Sequence, residues 1–209
     1  MLASLEQGLH TLSIDLTPPQ KQQLLDYLAL LHKWNQHTNL TAIRNINDML
    51  IKHVFDSLTV LRFMQGQRHI DVGTGGGLPG IVLAICLPDQ HFTLLDSNGK
   101  KCRFLKQANI ELGLMNIDIQ HTRVEQFHPT YHYDTVLSRA FTELSNMVQS
   151  CQHVLNIHGR FLAMKSAVAE HEVSALPATW QATVHPIVVP QLPERRILVE
   201  VLASQPKTD

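Results

Sequence analysis

The stretch His69-Ile70-Asp71-Val72-Gly73-Thr74-Gly75-Gly76-Gly77-Leu78-Pro79-Gly80 decides the fold. A short apolar run passes into a loop carrying four glycines, and Pro79 then opens a helix. Glycine permits the positive φ of a tight turn and lets a ligand approach the backbone closely. A strand, a glycine loop and a helix in this order form the crevice at the carboxyl end of a first strand, where open α/β sheets bind ligands. A turn without a ligand needs fewer glycines than this one has.

Working outward, the runs at 91–96, 117–121, 133–138 and 159–165 read as further strands, and 194–202 as a last one. Helical stretches near 79–87, 99–112 and 142–155 separate them. Strands alternating with helices predict an α/β fold: a mostly parallel, doubly wound, Rossmann-like sheet with helices on both faces. Upstream, residues 1–65 read as helices. Leu2, Leu5, Leu9 and Leu12 recur at helical spacing, Thr17-Pro18-Pro19 marks a helix start, and Leu24, Leu25, Leu28 and Leu31 form a stripe ending near Asn35. Another helix opens near Asn47, with Met49, Leu50, Val54 and Leu58 inward. The expected organisation is an N-terminal helical extension, 1–65, packed on a sheet domain, 66–209.

With 44% apolar residues in 209, the chain can bury a substantial core. Cys86, Cys102 and Cys151 have no paired spacing, which argues against a zinc site or disulfide framework. The histidines are scattered; His128 and His132 lie in a loop with Pro129, so no metal is expected. The sequence has neither a signal-peptide pattern nor an apolar run long enough to span a bilayer, so a cytoplasmic protein with no membrane partner is expected. A monomer is expected as well. A net charge of −1 confines any nucleic-acid contact to local patches.

The loop matches G-x-G-x-x-G at Gly75–Gly80, a weak signal for a dinucleotide. Asp71 says more. A carboxylate two residues before the first glycine would repel a pyrophosphate and attract the amino group and sulfonium of S-adenosylmethionine. The spacing Asp71, Gly73, Gly75, Gly77 resembles motif I of the Rossmann-like methyltransferases. Asp96 ends the second strand about 20 residues on, where an acid hydrogen-bonds ribose hydroxyls; its other reading is a cap for the helix starting near Asn98. Ser97 follows it at the same strand end. Two rival functions are a nicotinamide-dependent oxidoreductase on the same fold and a non-catalytic RNA-binding module. No Tyr-x-x-x-Lys pattern supports the first, and the cofactor loop weighs against the second.

Further stretches are Trp34-Asn35, Asn39-Leu40-Thr41-Ala42-Ile43-Arg44, His53 with Asp56-Ser57-Leu58, and 94–101 with Phe104-Leu105. Downstream lie Arg123-Val124-Glu125, Ser138-Arg139-Ala140, Met164-Lys165 and Arg195-Arg196. Taken in order over nearly the whole chain, they resemble the glucose-inhibited division protein B family, bacterial methyltransferases of guanine N7 in 16S ribosomal RNA. The resemblance implies a class I S-adenosylmethionine-dependent methyltransferase fold and a guanine of the 530 loop as target, in 16S rRNA or an assembling small-subunit particle. It also implies cofactor contacts at Gly73, Leu78, Val124, Glu125 and Arg139.

Methylation at guanine N7 removes no proton, so no general base is required, and none stands out. The N/D-P-P-Y/F tetrapeptide of exocyclic-amine methyltransferases is absent; Ser138-Arg139-Ala140-Phe141 occupies its place. Arg139, at the end of the fourth strand, is the candidate for orienting the target or holding the cofactor. It could instead form an ion pair with Asp71 or Glu125. Arg123, Lys165, Arg195 and Arg196 near strand ends are candidates for a phosphate-binding rim, with Asn39 and Arg44 on the RNA-facing edge.

Overall fold

The computed structural model describes residues 1–204 except 140, 142 and 167–169. Ala140, singled out above, lies outside the described residues.

Helix α1 (Leu2–Leu12) buries Leu5 and Leu9. Helix α2 (Pro18–Thr38) begins where the Thr17 side chain accepts from the Gln20 amide and the Gln20 side chain returns to the Thr17 amide, a reciprocal cap. A third helical stretch starts at the Asn45 cap with α3 (Ile46–Met49), continues through a π-helical turn (Leu50–Phe55) and ends in α4 (Asp56–Leu58). Met49, Leu50, Val54 and Leu58 are buried there, as their spacing predicts. The π turn has no signature in the sequence.

Strand β1 (Arg68–Val72) is buried from His69 onward. Then follow α5 (Gly80–Cys86), β2 (His91–Asp96), α6 (Gly99–Leu112), β3 (Ile117–His121) and β4 (Tyr133–Ser138). The chain continues with α7 (Leu144–Cys151), β5 (Leu155–Lys165), α8 (Glu170–Ser174), β6 (Trp180–Ile187) and β7 (Arg196–Ala203). The sheet runs β3-β2-β1-β4-β5-β7-β6. Its first five strands are parallel, while β7 is antiparallel to both β5 and β6. Strand β6 has no counterpart in the sequence reading. It is an edge strand with exposed Val184 and a proline at 186, so it lacks an unbroken apolar run.

One face of the sheet meets a cluster that joins Leu5, Leu24, Tyr27 and Phe55 to Ile81, Phe104 and Leu137. The N-terminal helices thus share a core with α5 and α6. The other face packs Met147, Val148 and Cys151 of α7 against Val136 and Phe161. The chain order reverses at β1: β2 and β3 lie on one side, β4 on the other. The loops after β1 and β4 therefore open a crevice at the switch point, where ligands of such sheets bind. Ser138 Oγ donates to the Val72 carbonyl at 2.9 Å and holds the two strand ends together.

Candidate functional site

The glycine loop leaves β1 with the amides of Gly73 and Thr74 donating to the Leu95 carbonyl at 2.9 and 3.1 Å. Gly73, Gly75 and Gly77 have φ of 70°, 60° and 86°, so the loop uses the left-handed region three times. Gly75 and Gly77 are constrained differently. A Cβ on Gly77 would stand 2.4 Å from Ile81 Cδ1. A Cβ on Gly75 would clash with nothing, its nearest neighbours being the Gly73 carbonyl and Lys101 Nζ, both at an ordinary 3.9 Å. Behind the loop, the buried Tyr27 hydroxyl donates to the Gly76 carbonyl at 2.7 Å. Helix α2 thereby fixes the loop through a bond worth about 0.5–1.5 kcal/mol net.

Asp71 corrects one expectation. Its side chain is fully buried beneath the loop rather than turned to an open crevice. Oδ2 accepts from Thr74 Oγ1 at 2.6 Å and from the Gly80 amide at 2.8 Å, so the acid braces both ends of the loop. Oδ1 has no partner. Burial raises the carboxyl to about 6, against the lowering effect of those two hydrogen bonds and of the Arg139 charge.

Asp96 is buried at the end of β2. Its Oδ2 accepts from the Gly75 amide at 2.9 Å, and its Oδ1 from the Asn98 amide at 2.8 Å. The cap of α6 is Asn98, whose side chain accepts from Lys100 and Lys101 amides. Asp96 therefore ties the glycine loop to the second strand, with Lys101 Nζ 3.7 Å from Oδ2. Ser97 and Glu125 are exposed, whereas Leu78 and Val124 are buried.

A cradle for a nucleoside-bearing cofactor is visible in these features. The outer face of Gly75 has room for a neighbouring group, a buried carboxylate oxygen beneath the loop has no partner among the described residues, and a second acid closes the strand end. The residues present fit S-adenosylmethionine.

Beside this loop lies a cavity of about 280 Å³, lined by residues of the third helical stretch, β5, β7 and Arg139. The π turn carries Lys52 and His53 into its wall and delivers Asp56 at the start of α4. Arg139 pairs with neither Asp71 nor Glu125: its Nη1 is 3.4 Å from Asp56 Oδ2 and 3.5 Å from the Lys52 carbonyl. Arg196 Nε lies 3.7 Å from Asp56 Oδ1, so the acid stands between two guanidiniums. Burial pushes the Asp56 carboxyl up, and Arg139 and Arg196 pull it down.

His53 is nearly buried in the same wall. Its Nδ1 is 3.0 Å from the Lys52 carbonyl, which can only accept, so Nδ1 carries the proton. Nε2 then accepts from the Thr41 hydroxyl at 2.8 Å. Burial first, and the Arg139 charge second, lower the imidazole to about 4. Neither Asp56 nor His53 was a site candidate on composition or spacing. The signal that could have found them was their place in the stretches carrying the family resemblance.

The expected RNA-facing residues divide. Arg123 and Arg195 are exposed. Lys165 is not: its ammonium pairs with Glu172, and the side chain is only 9% exposed, because β5 carries it under α8. Arg196 faces the cavity through Asp56. Asn39 and Arg44 are exposed but joined. Arg44 donates to Asn39 Oδ1 at 2.8 Å and to the Asn35 carbonyl at 2.6 Å, closing the end of α2.

The chain matches the family model described as rRNA small subunit methyltransferase G over residues 20–198. It is 49% identical to the ribosomal RNA small subunit methyltransferase G of Saccharophagus degradans, covering 92% of this chain and 88% of that protein. The protein of the same name from Escherichia coli is 47% identical, with 98% of this chain and 100% of the relative covered. Among solved structures, an O-methyltransferase from Bacillus cereus in complex with SAH superposes with TM-score 0.64 at 12% identity, covering 98% of this chain and 100% of that one. The O-methyltransferase of tomaymycin synthesis from Streptomyces achromogenes, in complex with SAM, gives 0.61 at 13% identity, with 96% of each chain covered. Both are likenesses of fold.

Proposed function

Because the chain belongs to the rRNA small subunit methyltransferase G family, we propose that it methylates N7 of a guanine in the 530 loop of 16S rRNA. The chain is an S-adenosylmethionine-dependent methyltransferase of small-subunit ribosomal RNA. The observation that carries the finer reading is a charged cavity beside Arg139 in which, among the described residues, the one histidine has both ring nitrogens engaged.

When bound, S-adenosylmethionine supplies an electrophilic methyl group on a sulfonium. The residues that would hold it are the main chain of Gly73, Gly75, Gly77 and Leu78, with Asp96 and Ser97 toward the ribose and Val124-Glu125 along the rim. Asp71 acts through the loop that it braces, and Arg139 borders the loop on the cavity side. Guanine N7 offers an in-plane lone pair and no hydrogen, so the protein has to align and hold rather than remove a proton. The cavity agrees with that demand: both His53 nitrogens are engaged, and burial holds the ring neutral. Positioning of this kind is worth up to about 7–11 kcal/mol. Arg123 and Arg195 are free to meet phosphates. The protein acts as a monomer, the N-terminal helices forming one body with the sheet domain.

The test replaces the target guanine by 7-deazaguanine in a small-subunit RNA substrate. Transfer to guanine and none to the analogue is expected. Equal transfer to both would move the target atom away from N7.

A further inference from the structure

We propose that Asp56 reads the Watson–Crick edge of the target guanine inside the cavity beside Arg139, an assignment that rests on the guanine-N7 reading above. Enzymes that modify a base take it out of the stack. They read it by hydrogen bonds to its Watson–Crick edge, between apolar walls. The cavity of about 280 Å³ has such walls in Ile43, Met164, Ile187 and Ile197. None of its lining residues belongs to the glycine loop, so it is a compartment distinct from the cofactor cradle.

Among the described residues lining it, Asp56 is the one carboxylate. A carboxylate only accepts, at about four lone-pair positions. Arg139 Nη1 donates to Oδ2 at 3.4 Å and Arg196 Nε stands 3.7 Å from Oδ1, which together leave acceptor positions on the carboxylate for another donor. Guanine presents N1–H and N2–H₂ side by side, two donors that one carboxylate accepts together. Adenine, cytosine and uracil each place an acceptor beside their donor on that edge and would meet repulsion. With the Watson–Crick edge at Asp56, guanine O6 falls next to the guanidiniums. N7 neighbours O6 on the adjacent edge of the base and stays free to attack when the guanidiniums hold O6 from its Watson–Crick side. A cavity that instead held an RNA phosphate on Arg139 and Arg196 would be indifferent to the base.

Single-turnover methylation should be measured on a small-subunit RNA substrate carrying guanine or inosine at the target. Inosine lacks only the N2 amino group. The wild-type protein is expected to slow about tenfold to a hundredfold on inosine. Asp56→Asn should be slow on guanine and lose the difference between the two bases. Asp56→Glu, which keeps the carboxylate, should retain it. Equal wild-type rates on guanine and inosine would overturn the assignment, whether or not any variant folds. An inosine penalty that survives in Asp56→Asn would assign the reading to another group and overturn it as well. Absence of transfer to the guanine substrate would instead overturn the functional reading on which the assignment rests.

Discussion

Arg139 stands where a strand end, a cofactor loop and a charged cavity meet, and its contacts separate catalysis from stability. Its ion-pair partner Asp56 keeps Arg196 when the guanidinium is removed. Arg139→Ala should therefore cost less than the roughly 3–5 kcal/mol of an orphaned buried charge. Methyl transfer should fall by about a hundredfold, the scale of a misplaced reactant. Thermal melting and single-turnover transfer on the same variant check this. A large drop in melting with normal turnover per folded molecule would make Arg139 a structural residue. His53 gives a pH dependence of definite sign. Its folded-state pKa, about 4, lies below the usual 6.5, so the folded protein prefers the neutral ring. The stability it contributes is present above pH 6.5 and is lost as pH falls toward 4. The loss should approach about 1.4 kcal/mol per pH unit within that window. Urea unfolding of wild type and His53→Gln at several pH values should show the wild type losing ground to the variant between pH 6.5 and 4. Parallel curves would mean that the ring is charged in the folded state.

The β1–loop–α5 unit was legible because glycine placement is itself a statement about backbone geometry, and Gly73, Gly75 and Gly77 do occupy the left-handed region. Gly75→Ala should cost roughly 1–2 kcal/mol from the left-handed backbone alone. Its Cβ would fill the room on the outer face of the loop, so affinity for S-adenosylhomocysteine should fall beyond what the lost stability explains. Gly77→Ala adds a collision with Ile81 and should melt lower still. Calorimetry and melting on both variants check the contrast; wild-type affinity in Gly75→Ala would remove the loop from the cofactor site. The direction of a side chain was not legible. Asp71 was assigned an open face because an acid near a cofactor loop suggests one. In the fold, Thr74 and the Gly80 amide claim it from inside. The case for a sulfonium ligand therefore rests on the family and the cradle rather than on an exposed Asp71 charge. Nor was the π turn legible, since its residues have ordinary helical spacing. It brings Lys52, His53 and Asp56 into one cavity wall.

Over the whole molecule, a chain of net charge −1 must meet RNA through local patches of exposed cations rather than a global positive charge. Arg123 and Arg195 are exposed, whereas Arg196 faces Asp56 and Lys165 faces Glu172. Composition and spacing could not make that division, because all four lie near strand ends and only packing decides which are covered. Arg123→Ala and Arg195→Ala should each reduce the salt dependence of RNA binding by about 0.7–0.9 in log–log slope. Arg196→Ala and Lys165→Ala should leave the slope unchanged; filter binding across a salt series distinguishes the pairs. The central claim, that this fold carries a cavity for a guanine beside a methyl donor, is tested most directly by mapping. Small-subunit RNA or particles lacking the modification should be incubated with the protein and methyl-labelled S-adenosylmethionine, then digested and sequenced by mass. The account predicts one added methyl group, on N7 of a guanine in the 530 loop. Label on another atom, on another base, or in the large-subunit RNA would contradict it.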